Sequence, residues 1–450
     1  MNAKKEILIV QPSFYLHNRI NIVKRKTKIC LTPPLISPYL ASFFPDDECN
    51  ITIKDEVIHN INFDKKYDLI AIPFVTPHAK RAYEIADIFR KKGSKVLMGG
   101  YHVTARQDEA LQHCDSIVAG EFEPFKNEFI EDFFSNNLKP VYKSNKLCDM
   151  KNINFPRYDL VDLKKFSAPT HTKFPMETSR GCPFNCDFCC LKIIHGNQMR
   201  FRPVEEVIEH VSRVKIDFKR FKPRFFFIDE NMVSFNERNV RLLELLMTQK
   251  IEWSTFFSVD SYKHPEFIEL AARSGCVGAT LGFGSLDKKN MEATNNKKNN
   301  LNNLYKVADV FKKNNIPVYA CIMAGFPNDN INTLYDTLNY LIDMNIPFAF
   351  FYSVYPLPGT TLYDRYKNEN LLLKEDFWLD VHNPYELVHL NNFNSSNLCF
   401  EAAFKDMVNK YYKLNEIFKR SITSKRFFRV LSENIGLKIL NKDYDMFSTL

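Results

Sequence analysis

No apolar run in this chain is long enough to cross a membrane. Met1 to Val10 holds only a four-residue apolar stretch, Ile7 to Val10, too short for a signal peptide or a span. The longest stretch without charge, Ile346 to Tyr363, is broken by Pro347, Pro356, Pro358 and Gly359. A cytoplasmic protein is expected. A disulfide framework is also lacking: most of the eleven cysteines, among them Cys114, Cys276, Cys321 and Cys399, are isolated in apolar surroundings of a 450-residue chain. That pattern fits a reducing compartment. The formal charge of +8 is scattered, apart from short clusters at Lys24 to Lys28 and Lys419 to Arg429, so nucleic acid binding finds little support. Disorder is not indicated, because 45% of the residues are hydrophobic and 25% charged. The length implies two or three domains.

What is present is a cysteine loop. Glu177-Thr178-Ser179-Arg180-Gly181-Cys182-Pro183-Phe184-Asn185-Cys186-Asp187-Phe188-Cys189 follows a short apolar strand and spaces three cysteines as CxxxCxxC. Three thiolates hold three irons of a 4Fe-4S cube, whereas a cluster that only carries electrons normally has four cysteine ligands. The fourth iron is then open to a ligand. A structural zinc site would combine two short Cys/His pairs across a longer loop, and the sequence has no second CxxC or HxxxH pair. Cys190 adjoins the motif and is read as packed.

Around this loop the periodicity alternates between strand and helix. Glu6 to Val10, Asn50 to Lys54, Asp68 to Pro73, Lys95 to Met98 and Ser116 to Val118 are strand candidates, and His78 to Lys92 repeats apolar residues at helical spacing. This predicts a doubly wound α/β domain over 1–140, with ligands at the carboxyl ends of its strands. Gly99-Gly100 ends one strand, either for close approach to a ligand or for a tight turn. Residues 141–172 lack periodicity and read as a linker. Six further strands alternate with helices over 173–370: Lys173 to Thr178, Arg224 to Ile228, Glu252 to Ser258, Ala279 to Gly282, Pro317 to Met323 and Ala349 to Tyr355. Six such units predict a partial barrel with its site at the carboxyl ends of the strands. Residues 371–450 read as helical and basic, capping the barrel or covering substrate. Their amphipathic end is a solvated helix face or a membrane-surface segment.

Residue for residue the cysteine loop resembles the signature of the radical S-adenosylmethionine (SAM) superfamily, including the aromatic Phe188 before the last cysteine. The N-terminal stretch resembles the cobalamin-binding domain that precedes the barrel in one subgroup. That likeness is carried by Pro33-Pro34-Leu35, Tyr39-Leu40-Ala41, Tyr67 to Ile72, Gly99-Gly100-Tyr101-His102, Asp115 to Val118 and Ala119-Gly120-Glu121-Phe122-Glu123. The fold implied is a flavodoxin-like cobalamin-binding domain, a partial (β/α)6 radical SAM barrel and a C-terminal helical region.

The resemblance implies Cys182, Cys186 and Cys189 as cluster ligands, with SAM chelated at the open iron. Asp229 and Glu230 stand where the family meets the SAM amino group, although Asp229 suits a helix cap equally well. Ser258 and Asp260 stand toward the SAM carboxylate, Gly325 and Pro327 in the turn near the adenine, and Tyr355 at the end of the sixth strand. Gly284 stands where the family pattern has Glu, which puts a ribose contact there in doubt. Thr76, Gly99, Gly100 and His102 are the positions implied for cobalamin. The DxHxxG loop that supplies an imidazole to cobalt in other cobalamin proteins is missing. His17, the nearest candidate, reads as a surface residue and His102 as a turn or pocket-wall residue, so cobalamin is expected to bind without a histidine ligand.

The implied activity is reductive cleavage of SAM for methyl transfer to an unactivated atom of a small substrate, for which the many aromatic side chains allow an apolar molecule, fed by an electron donor such as flavodoxin or ferredoxin. Ring closure or rearrangement on the same architecture is the alternative. A tRNA methylthiotransferase would need a second cluster, and Cys30, Cys49 and Cys114 do not sit at matching strand ends. A non-catalytic, metal-stabilised binding protein would release no 5′-deoxyadenosine.

Overall fold

The apolar runs become strands covered on both faces. A computed structural model describes residues 3–15, 32–144, 146–167, 171–232, 235–294, 299–372, 374–380 and 397–443; His17 and Cys30 lie outside them. In β1 (Lys5–Gln11) the four residues Ile7 to Val10 are all buried. Leu8 and Val10 pack with Ala82, Ile85, Ala86 and Phe89 of the helix Ala79–Lys91, whereas Ile7 and Ile9 pack with Phe125, Phe129 and Phe133 on the opposite face. Burial on two faces explains why these strands read as continuous apolar runs.

β1 joins β2 (Cys49–Asp55), β3 (Leu69–Pro73), β4 (Lys95–Gly99), β5 (Ser116–Ala119) and β6 (Val141–Lys143) in one parallel sheet of order β2-β1-β3-β4-β5-β6. The order reverses between β1 and β3, and in such sheets ligands settle in the crevice at the carboxyl ends. β6 is a finding beyond the sequence reading, which places 141–143 in the linker. Its two outer residues are exposed and only Tyr142 is buried, so it carries no usable period.

The second sheet begins with β7 (Thr172–Met176). β8 (Ser179–Arg180) and β9 (Arg200–Phe201) form a two-residue antiparallel ribbon beside it. β10 (Pro223–Phe227), β11 (Trp253–Phe257), β12 (Cys276–Gly284), β13 (Val318–Ala324) and β14 (Phe348–Ser353) complete a six-stranded parallel half-barrel of order β14-β13-β12-β11-β10-β7. These are the six strands expected from the sequence. Along β13, Val318, Ala320, Ile322 and Ala324 bury against the surrounding helices, while Tyr319, Cys321 and Met323 are half-buried on the inner face. That is the period of two a barrel wall requires.

The C-terminal helices Asn397–Tyr411, Leu414–Ile422 and Phe427–Asp443 close the edge and the floor of the half-barrel. Tyr411 and Tyr412 donate their hydroxyls to the carbonyls of Ile346 and Ala349 at 2.7 and 2.6 Å, covering the edge strand β14. Asn434 donates to the Pro347 carbonyl at 3.1 Å and Glu433 accepts from the Tyr319 hydroxyl, which sets the last helix across the amino ends of the strands. Among the described residues no helix is long and apolar enough to cross a membrane.

Candidate active site at the cysteine loop

The loop starts where β7 ends, and buried polar groups stitch it at its base. Asp229, just past β10 and fully buried, accepts from the Thr178 and Ser179 backbone N–H groups at 2.6 and 3.2 Å and from both hydroxyls. Burial pushes its pKa up, against the pull of these donors. Asp229 therefore neither reaches out to SAM nor caps a helix; Asn236 caps the helix that follows, accepting from Asn239 N–H at 2.8 Å. From that helix Arg238 donates to the Thr178 and Arg202 carbonyls, both at 2.9 Å. Glu230 accepts from Gly181 N–H at 2.7 Å, and its other oxygen lies 3.6 Å from His195 Nε2. At Gly181, with φ of +92°, an added Cβ would lie 2.2 Å from the Gln198 carbonyl oxygen, so only glycine closes this turn.

Asp229→Ala would leave the buried Thr178 and Ser179 N–H groups without their acceptor. The expected result is a protein that folds but retains well under half the iron of the parent after anaerobic reconstitution, by about 1–3 kcal/mol of unsatisfied hydrogen bonding. Full iron retention would contradict the stitching role.

Cys182, Cys186 and Cys189 are half-buried within this stitched loop and form no disulfide. Cys189 N–H donates to the Cys186 carbonyl at 3.1 Å. Burial pushes the Cys189 thiol up to about 11, and the neighbouring Cys186 and Cys182 add to the rise. Iron must displace those protons on binding. Among the described residues no three His, Cys, Asp or Glu side chains converge on a position for one metal ion. A cubane asks for no such convergence, since each thiolate binds its own iron, and three thiols on one loop are the donors that three corners of a cluster need. Cys190 opens the helix Leu191–His195, its carbonyl accepting from Ile193 N–H at 3.0 Å.

Other expected positions gather in part. Phe188 meets Phe326 of the Gly325-Phe326-Pro327 turn edge to face, centroids 6.5 Å apart. That turn is held by Asp329, which accepts from Gly325 and Phe326 N–H at 2.7 and 3.0 Å and which burial raises to about 6. Ser258 is buried and accepts from Asp260 N–H at 3.3 Å, while Asp260 pairs with Lys263 at 3.1 Å. Tyr355 packs edge to face on Phe377, centroids 5.0 Å apart, in the segment that returns to the N-terminal domain.

That domain meets the loop through charge. Glu121, two residues past β5, accepts from Arg200 at 2.8 and 2.9 Å, from Cys148 N–H at 2.7 Å and from Arg180 at 3.4 Å, and lies 3.0 Å from His195 Nδ1. Burial opposes its charge, but His195, Arg200 and the Cys148 N–H outweigh burial and hold the carboxyl well below the usual carboxylate range. Arg180 also pairs with Glu123 and Glu177 at 2.7 and 2.9 Å. None of these partners is signalled by sequence spacing.

Beside this network is a mainly apolar cavity of about 280 Å³. Its walls are the strand ends Pro73, Gly99, Gly100 and Gly120, the helix Ile36–Ala41, and Glu177, Arg180, Ile194, His195 and Ile228 of the barrel side. A Cβ on Gly120 would meet nothing within 4 Å, so the backbone there is bare to the cavity, whereas one on Gly100, at φ of +104°, would strike the Phe74 carbonyl. Bare glycine backbone and apolar walls fit a corrinoid, of which this volume admits a part. Of the four positions expected at cobalamin, Gly99 and Gly100 line the cavity and Thr76 and His102 do not. Both are fully buried, His102 Nδ1 lying 3.1 Å from the Thr76 hydroxyl and Nε2 3.0 Å from Glu109. The ring fixes the turn from within.

A half-barrel with a three-cysteine loop at its mouth and a doubly wound domain facing it defines a radical SAM architecture. Residues 176–341 match the Radical SAM superfamily, so the chain carries a radical SAM domain. Similar proteins include the bacteriochlorophyllide d C-12(1)-methyltransferase of Chlorobaculum tepidum, 29% identical over 369 residues, covering 81% of this chain and 79% of that protein. The bacteriochlorophyllide d C-8(2)-methyltransferase of the same organism is 28% identical over 402 residues, covering 86% and 88%. Among solved structures, the cobalamin-dependent SAM radical enzyme OxsB with aqua-cobalamin and SAM bound superposes with a TM-score of 0.70 at 14% identity, covering 97% of this chain and 72% of that one. TsrM from Kitasatospora setae with cobalamin and a [4Fe-4S] cluster gives 0.61 at 12%, covering 80% and 77%. The likeness of fold extends over both sheets, and a chain with this domain is an enzyme.

Proposed function

We propose that the chain is a cobalamin-dependent radical SAM methyltransferase acting on an unactivated atom of an apolar, ring-bearing small molecule. The observation that carries this reading is the cavity whose walls come from both sides: the glycine strand ends of the N-terminal sheet, and Arg180, Ile194, His195 and Ile228 around the cysteine loop. When bound, SAM at the cluster supplies the 5′-deoxyadenosyl radical and cobalamin the methyl group. The chain's own residues hold and orient. Cys182, Cys186 and Cys189 would hold three irons of the cluster, while Phe188 and the Gly325-Phe326-Pro327 turn form an apolar shelf beside the loop. Gly99, Gly100 and Gly120 let a macrocycle approach the strand ends closely.

The substrate class is supported by the inner wall. Tyr319 and Phe350 lie nearly parallel, 14° apart with centroids at 6.1 Å, and Phe350 and Tyr352 19° apart at 6.4 Å. Phe226 and Phe256 face inward on the neighbouring strands, centroids 5.7 Å apart. Half-buried parallel rings suit a flat apolar molecule, and the two relatives from Chlorobaculum tepidum are named for action on bacteriochlorophyllides. A small reducing flavodoxin or ferredoxin of the cytoplasm would supply the electron. Against a methylthiotransferase, Cys49 opens β2 and Cys114 precedes β5, both buried at the ends away from the mouth, and the described C-terminal residues are helical.

The test uses methyl-labelled SAM with the anaerobically reconstituted, dithionite-reduced enzyme. Label is expected in the protein-bound corrinoid and 5′-deoxyadenosine in solution. 5′-Deoxyadenosine with an unlabelled corrinoid would rule out methyl transfer and leave ring closure or rearrangement.

A further inference from the structure

The C-terminal helices expose an apolar stripe that the fold does not need for its own packing. Leu414, Phe418 and Ile422 recur every fourth residue along one row of the helix Leu414–Ile422 and are 64, 51 and 63% exposed. The opposite row, Ile417 and Ser421, is buried, so the helix is anchored and its stripe faces out. Phe428, 82% exposed, extends the patch through Phe427, whose ring lies 6.0 Å from Phe418 and 5.2 Å from Phe428. A monomeric surface rarely gathers four large exposed apolar side chains without a use for them.

Lysines border the patch. Lys413, Lys419 and Lys425 are exposed around it, and Lys425 shares with Lys312 and Lys313 a groove of about 380 Å³. Against these five ammonium groups stand three carboxylates, Asp309 paired with Lys313 at 2.7 Å, Glu416 paired with Lys419 at 2.8 Å, and Asp406, which feels the charge of Lys413. We propose that this face docks the enzyme on an anionic lipid bilayer, the apolar row entering the acyl boundary and the lysines meeting headgroup phosphates. An apolar row rimmed by lysine is the composition of an interfacial helix. A second copy of the chain fits worse, because a two-fold contact would set lysine against lysine. The groove is walled by Pro317, Val318, Ile346 and Pro347 at the amino ends of β13 and β14. Docking there leaves the cysteine loop, at the other end of the strands, on the side away from the bilayer.

The test is co-sedimentation of the full, reconstituted chain with vesicles. Binding is expected to mixed phosphatidylcholine and phosphatidylglycerol vesicles and to be about tenfold weaker on pure phosphatidylcholine or in high salt. Phe418→Ser with Phe428→Ser, and separately Lys413→Glu with Lys425→Glu, should each lower binding about tenfold while iron content and 5′-deoxyadenosine release stay at the parent level. The lysine pair keeps the test alive if the apolar pair misfolds. No binding to the mixed vesicles, equal binding by the lysine variant, or a dimer in light scattering that Phe418→Ser dissolves would overturn the proposal.

Discussion

Cys186→Ala abolishes release of 5′-deoxyadenosine from SAM under dithionite and strips the reconstituted protein of most of its iron. Two thiolates cannot hold three corners of a cube, and the remaining pair, Cys182 and Cys189, sits in a loop whose shape comes from Asp229, Glu230 and Arg238 rather than from the metal. The fold therefore survives while the chemistry is lost, and the far-ultraviolet dichroism stays at the parent level. Cys190→Ala is the matching control. Cys190 opens a short helix beside the loop, and its substitution should leave iron content and product within about twofold of the parent. Product from Cys186→Ala, or iron lost from Cys190→Ala, would reassign the ligands.

Glu121→Ala is expected to destabilise the chain by about 3–5 kcal/mol, because it leaves Arg180, Arg200 and His195 gathered around a missing charge in a buried site. The effect reaches the chemistry as well, since Glu121 and His195 both line the cavity. Glu121→Gln separates charge from volume. The folded carboxyl titrates well below the usual range, so its stabilisation is fully present above the unfolded carboxylate value and is lost as the pH falls through the folded one. The stability difference between parent and Glu121→Gln should accordingly be constant at neutral pH and shrink in acid. Denaturant titrations across that range check it; a difference that grew in acid would contradict the assigned sign.

Much of the architecture was legible from the sequence because its signals are local. Ile7 to Val10 and the alternation along Val318 to Ala324 announce strands by themselves, and CxxxCxxC needs no partner elsewhere. β6 escaped because Val141 and Lys143 are both exposed on an edge strand of three residues. The site was harder to read where its contacts are remote. Asp229 meets Thr178 across 51 positions, and Glu121 meets Arg180 and Arg200 across 59 and 79. No spacing encodes such pairs. The same remoteness hid the partners of Thr76 and His102: of the two roles read for His102, turn or pocket wall, its contacts fit the turn, the ring lying inward against Glu109 and the Thr76 hydroxyl. Conversely, the Ala119-Gly120-Glu121-Phe122-Glu123 stretch was recognisable as a motif, but its carboxylates serve to clamp the two domains together.

The central claim is that the N-terminal domain presents a corrinoid to the cluster. Cobalt content after reconstitution with hydroxocobalamin tests it most directly. The account predicts about one cobalt per chain that survives gel filtration, and a marked loss when Gly99, which lines the cavity and where an added Cβ meets only ordinary contact with Val118 at 3.7 Å, is replaced by a bulky residue such as Phe. A cobalt-free protein that still carries its iron and cleaves SAM would contradict it.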